Sequence, residues 1–200
     1  LFDELAPRWS LAESGDPIEL SAVFGRIAPC VVEIGIGFGE ALVEMAAADP
    51  DTDVVGVDVH TPGVAATVVA IDSRSLTNVR VVHGDALDFL ERIRSGTLAG
   101  VRIYFPDPWP KARHRHRRLV AGGRLAVLVD VLAPGGFLHL ATDIDDYADH
   151  ARRECDADDR LGGGPIDRPA WRPVTRYERK GLAAGRRVTD LWYERRPVRP

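Results

Sequence analysis

The chain has 200 residues, 45% of them hydrophobic and 28% charged, with a formal net charge of −4. This is the composition of one globular domain large enough to bury a core, neither disordered nor membrane-bound. No run approaches the roughly 18 uninterrupted apolar residues of a membrane span and no signal-peptide pattern opens the chain, so a cytoplasmic protein is expected.

Cys30 and Cys155 lie far apart and outside any CxxC spacing, which argues against a disulfide framework or a zinc site. The charge is unevenly placed. Residues 1–110 carry 7 basic and 17 acidic groups, residues 111–118 carry 5 basic and none acidic, residues 119–167 carry 4 and 10, and residues 168–200 carry 10 and 3. An acidic body with two basic segments fits a local polyanion-binding face.

Along the chain, short apolar runs alternate with helical patterns. "PCVVEIGIG" (29–37) predicts a strand, and Ala41, Leu42, Met45 and Ala46 then recur at helical spacing. "TDVVGVDV" (52–59) predicts a second strand, with a helix from Pro62 to about Ser75. "NVRVVHGDA" (78–86) predicts a third, with a helix from Ala86 to about Ile93. "GVRIYF" (100–105) is a fourth strand, ended by Pro106, which has no amide to continue a ladder. "GGFLHLATD" (135–143) is a fifth, and "IDDYADHARREC" follows as a helix. Gly162–Gly164 and the prolines at 165, 169 and 173 predict a loop before a last alternating strand, "RRVTDLWYERR" (186–196). The expectation is a single doubly wound α/β domain over 1–200, mostly parallel, with helices on both faces and an antiparallel C-terminal strand. Ligands of such sheets sit beyond the carboxyl ends of the strands.

Those ends carry the chemistry. After the first strand stands Glu33-x-Gly35-x-Gly37-x-Gly39, a turn with no Cβ to block a ligand. Position 40 is Glu, where a GxGxxG dinucleotide turn has its third glycine, and an acid there would meet a pyrophosphate badly. Asp58 follows the second strand, about twenty residues on, where a carboxylate accepts from ribose hydroxyls in several cofactor classes. Asp85 follows the third. After the fourth comes "YFPDPWPKARHRHRR" (104–118), in which Pro106 and Pro108 restrict Asp107 and Trp109 adds a flat wall. Lys111, Arg113, Arg115, Arg117 and Arg118 can neutralise phosphates. His114 and His116, flanked by arginines, make a poor cation site, so no metal is expected.

The acid-x-GxGxG order resembles the first motif of S-adenosylmethionine-dependent methyltransferases. "YFPDPWPKARHRHRR", with "EIGIGFGE" (33–40), "LATD" (140–143), "TRYERKG" (175–181) and "DLWYER" (190–195), resembles the bacterial tRNA (guanine-N7-)-methyltransferase family over about residues 3–196. The resemblance implies a Rossmann-like class I methyltransferase fold and methylation of N7 of guanine 46 in the tRNA variable loop, with S-adenosyl-L-methionine as donor. It implies donor contacts for Glu33, Gly35, Gly37, Asp58, Asp85 and Asp107, and a catalytic role for Asp107. Substrate contacts fall on Lys111, Asp143, Thr175, Arg176, Tyr177 and Glu178, and RNA contacts on Arg113, His114, Arg115, His116, Arg117 and Arg118. Asp143 and Glu178 are second candidates for the carboxylate on the base, and Tyr177 or Trp109 for stacking on it.

The chain departs from the family pattern at Asp58, usually Glu, at His116, usually Lys, and at Gly122-Gly123, where a helix is usual. It begins without Met, so the family's basic N-terminal arm is expected to be missing. Monomer and homodimer both stay open. The rival readings are a nicotinamide dehydrogenase, a methyltransferase acting on another RNA or a small molecule, and a tRNA-binding module without catalysis.

Overall fold

Residues 2–197 are described in the computed structural model. The predicted apolar runs become the strands of one sheet: β1 (Ser10–Leu11), β2 (Cys30–Ile34), β3 (Asp53–Asp58), β4 (Val79–His83), β5 (Leu98–Tyr104), β6 (Leu132–Thr142), β7 (Leu161–Ile166) and β8 (Thr189–Arg195). Their order is β1-β4-β3-β2-β5-β6-β8-β7, parallel up to β6 and antiparallel where β8 pairs with β6 and β7. Every residue of β2 is buried, as expected of a central parallel strand covered on both faces.

The helices are α1 (Phe2–Trp9), α2 (Leu20–Phe24), α3 (Glu40–Ala48), α4 (Thr61–Ser73), α5 (Ala86–Leu90), α6 (Gly122–Val131), α7 (Asp145–Ala157) and α8 (Arg176–Ala183), with a 3-10 helix at Ala112–Arg117. Alternate strand residues feed two cores. Val55, Val57, Val101 and Ile103 pack with Phe89 of α5, Leu128 of α6 and Tyr147 of α7. Val54, Val79 and Val81 pack with Trp9 of α1, Leu42 of α3 and Val68 of α4. The chain runs from β2 outward to β3 and β4, then returns to place β5 on the other side of β2. The switch in strand order therefore lies between β2 and β5, where such sheets leave a crevice for ligands.

Three elements differ from expectation. The glycine cluster at Gly162–Gly164 is not a loop but part of edge strand β7. A Cβ at Gly163 would lie 2.0 Å from the Trp192 carbonyl oxygen, so close backbone approach, not a turn, requires glycine there. Gly122 and Gly123 open α6 and do not interrupt it, which avoids most of their helix-interior cost. Helix α8 was hidden in a charged stretch; Thr175 caps it by accepting from the Glu178 amide at 3.1 Å. Residues 198–200 of the basic C-terminal segment lie outside the described residues.

Candidate active site

The strand ends open on a cavity of about 700 Å³ at the switch point. It is lined by Glu33, Gly35, Gly37, Asp58, Asp85, Asp107, Thr175, Arg176 and Tyr177 together, residues spread over most of the sequence. The glycine turn takes left-handed backbone, with φ of 79° at Gly35 and 56° at Gly37, conformations that L side chains avoid. A Cβ on Gly63 of α4 would stand 2.0 Å from the Gly37 carbonyl, so the second helix also comes in close under the turn.

Each acid on this floor is held differently. Asp58 accepts from the Gly37 amide at 2.7 Å and the His60 amide at 2.8 Å, locking the glycine turn to the end of β3. Asp85 caps α5 by accepting from the Leu87 amide at 2.8 Å. Its own amide donates to Glu13 at 2.8 Å, a support from the N-terminal segment that no local motif signals. Glu33 is only 3% exposed, and its Oε2 has no hydrogen-bond partner among the described residues. Burial pushes its carboxyl up to about 7, against the pull of Arg102 on the neighbouring strand. A buried carboxylate oxygen on a cavity wall fits a donor-bearing, preferably cationic, group.

Asp107 projects from the turn after β5. It is exposed, and no hydrogen bond or ion pair among the described residues uses its carboxylate. Left-handed residues bracket the turn, Phe105 at φ 51° and Trp109 at φ 41°. Trp109 lines the cavity, with the Arg117 guanidinium 5.0 Å over its ring. Arg113, His116 and Arg117 are exposed, while His114 and Arg115 are half-buried, Arg115 paired with Asp146 at 2.8 Å. Arg118 corrects an expectation: its side chain is fully buried and donates to Pro108 and Asp146, so it does not lie on a surface that RNA could reach.

Arg176 and Tyr177 come from the first turn of α8, and Tyr177 is 59% exposed at the cavity mouth. Glu178 is not placed with them. It is buried, and both its oxygens accept from Arg172, at 2.7 and 3.1 Å, so it is engaged within the protein and not free to hold a base. Arg172 also grips Asp190, at 2.9 and 3.0 Å. Asp190 lies 2.8 Å from His139 Nε2, and His139 Nδ1 lies 3.0 Å from the Tyr104 hydroxyl. Burial holds this imidazole toward its neutral form, consistent with Nε2–H donating to Asp190 and Tyr104 donating to Nδ1. This chain ties the cavity wall at Tyr104 to α8. Lys111, exposed before the 3-10 helix, and Asp143, which accepts from Arg186 at 2.7 Å, do not line the cavity. Arg124 and Lys180 do, and were not anticipated.

The floor of acids suits a ligand with positive charge and no phosphate. Glu40 also lines the cavity, at the start of α3 where a dinucleotide pyrophosphate would otherwise rest. Glu33's open oxygen, the Cβ-free turn and the carboxylates of Asp58 and Asp85 therefore fit S-adenosylmethionine, whose sulfonium and ammonium groups are cationic and whose ribose offers hydroxyls. Fold and cavity together define a Rossmann-like, S-adenosylmethionine-dependent methyltransferase. Solved methyltransferases share the fold: the aminoglycoside resistance enzyme NpmB1 superposes with a TM-score of 0.61 at 19% identity, covering 88% of this chain and 92% of that one. A 16S rRNA (adenine(1408)-N(1))-methyltransferase from Catenulisporales acidiphilia, solved with its cosubstrate SAM, gives 0.60 at 19% identity, covering 94% of each chain.

A protein family described as "Putative methyltransferase" matches residues 27–191. Two proteins named tRNA (guanine-N(7)-)-methyltransferase are much closer in sequence. That of Nitrosomonas eutropha is 42% identical over 95% of this chain and 87% of its own length, and that of Xanthomonas campestris pv. campestris is 48% identical over 97% and 77%. The chain belongs to the tRNA (guanine-N7-)-methyltransferase family.

Proposed function

We propose that this chain, acting in the cytoplasm, transfers a methyl group from S-adenosylmethionine to N7 of guanine 46 in the tRNA variable loop. The observation that carries the reading is the polarity of the cavity. Its floor, at the ends of β2, β3 and β4, carries the acids Glu33, Asp58 and Asp85, and its rim, the segments from the turn after β5 to α8, carries Trp109, Arg117, Arg124, Arg176, Tyr177 and Lys180 beside Asp107. The floor suits a cationic donor; the rim suits a base brought in on a phosphate backbone.

When bound, the donor supplies a methyl group made electrophilic by its sulfonium. N7 of guanine has an in-plane lone pair and no proton, so no base is needed before attack. The protein's task is to hold N7 in line with the methyl and keep water away, a contribution of about 7–11 kcal/mol in well-oriented systems. As the purine becomes cationic its N1 and N2 hydrogens become more acidic. Asp107, with a carboxylate that no group among the described residues engages, accepts from that edge and favours the charged transition state over the neutral ground state. Tyr177, exposed at the mouth, stacks on the extruded base, which costs a few kcal/mol to turn out. Arg113, His116 and Arg117 meet phosphates and offset that cost.

Incubating the protein with labelled donor and unmodified tRNA transcript tests the reading. We expect one 7-methylguanosine per tRNA, lost when guanine 46 is replaced; methylation at any other atom or position would contradict it. Arg113→Gln with Arg117→Gln should raise the tRNA KM and flatten its log–log salt dependence by roughly 0.7–0.9 per lost contact. An unchanged slope would take both arginines off the RNA.

A further inference from the structure

The turn 106–110, which carries Asp107, is poorly tethered. Pro106, Pro108 and Pro110 have no amide, and among the described residues the turn takes part in one hydrogen bond, from Arg118 Nε to the Pro108 carbonyl at 2.9 Å. Its entry is fixed one residue earlier, where the Phe105 amide donates to the Ala141 carbonyl at 2.7 Å. Phe105 and Trp109 sit in left-handed backbone, which bulky L-residues keep only where surrounding contacts impose it.

We infer that Arg118 is a positioning residue for methyl transfer, holding the Asp107 carboxylate at the cavity by gripping the carbonyl of the residue after it, and that it makes no contact with RNA. The other end of its guanidinium is anchored in the scaffold. Nη2 lies 2.5 Å from Asp146 Oδ2 and Nη1 lies 3.3 Å from the Asp146 carbonyl, in the first turn of α7. The plane rests 5.0 Å over the ring of Tyr147, which is fully buried in the core. Arg118 thus links the end of a rigid helix to the Pro108 carbonyl of the turn. A planar fork suits this geometry, since it fixes Nε, Nη1 and Nη2 in one plane toward Pro108 and Asp146, which a lysine's flexible ammonium does not. Arg115, three residues earlier, reaches the other oxygen of Asp146 and holds the 3-10 helix to the same point.

The inference rests on the reading of Asp107 as the catalytic carboxylate, and the test separates the two. Single-turnover methyl transfer, which is insensitive to the fraction of active enzyme, would be measured for Arg118→Lys, Asp146→Asn, Asp107→Asn and the Arg118→Lys/Asp107→Asn double variant. A misplacement near 1 Å costs about a hundredfold, so Arg118→Lys should slow transfer between tenfold and a hundredfold. Its tRNA KM and salt slope should stay those of the parent. Asp146→Asn, a half-exposed side chain that keeps one acceptor oxygen for the guanidinium, should show the same pattern more weakly. In the Asp107→Asn background, Arg118→Lys should slow transfer little further, because both changes act on one carboxylate. Full-rate transfer by Asp107→Asn would remove the catalytic reading and this inference with it. Slow transfer by Asp107→Asn but normal transfer by Arg118→Lys and Asp146→Asn would overturn the positioning role alone. So would an undiminished Arg118 effect in the double variant, or a raised tRNA KM with a flattened salt slope.

Discussion

Asp107→Asn is expected to slow single-turnover methyl transfer by about a hundredfold to a thousandfold, the usual cost of losing one preorganised charge-stabilising group, while tRNA affinity changes less than about twofold. The substitution keeps shape and one acceptor oxygen but removes the negative charge. Because the Asp107 carboxylate is exposed and pairs with no group among the described residues, folding loses nothing by the change. Thermal melts of parent and variant should therefore coincide. Equal losses of binding and transfer rate would show that Asp107 serves ground-state binding, not the transition state.

Glu33→Gln should act in opposite directions on stability and on donor binding. Folding raises the Glu33 carboxyl from its ordinary 4.5 to about 7, because burial outweighs the attraction of Arg102. The folded protein therefore holds this proton to a higher pH than the unfolded chain does. Stability falls as pH rises between the two values, and above about 7 the buried charge costs on the order of 3 kcal/mol. Glutamine carries no such penalty. The variant should melt several degrees above the parent at pH 8 and level with it at pH 5. Donor affinity should fall at least about tenfold in the variant, and in the parent it should rise with pH toward about 7 as Glu33 ionises to meet a cationic ligand. Equal melting shifts at both pH values would mean that Glu33 is not desolvated as described.

Both effects fall on residues that the sequence makes visible. Parallel strands buried on both faces read as unbroken apolar runs, so β2 to β5 and the acids at their ends could be placed from spacing alone. The glycine turn and the proline-braced Asp107 are short, local patterns of the same kind. Strand β7 was misread because Gly163 is there for the approach of the Trp192 backbone, a contact between strands that no local pattern encodes. The link from Tyr104 through His139, Asp190 and Arg172 to Glu178 joins segments far apart in sequence, and Glu178 on its own looks like any charged residue next to Tyr177. Arg118 could not be told from its neighbours for a different reason. A block of like charge gives no hint of which side chain turns inward. Arg115 lies in the 3-10 helix and Arg118, three residues on, is its C-cap; both face Asp146, while Arg113 and Arg117 are left exposed.

Methyl transfer depends on where one carboxylate points when donor and base are both present. A structure of the protein with unmodified tRNA and S-adenosylhomocysteine tests this directly. We expect guanine 46 turned out of the tRNA core, its N7 facing the sulfur and its N1 and N2 hydrogens donated to Asp107. A bound guanine whose N1–N2 edge meets other groups, with Asp107 turned toward solvent, would contradict it.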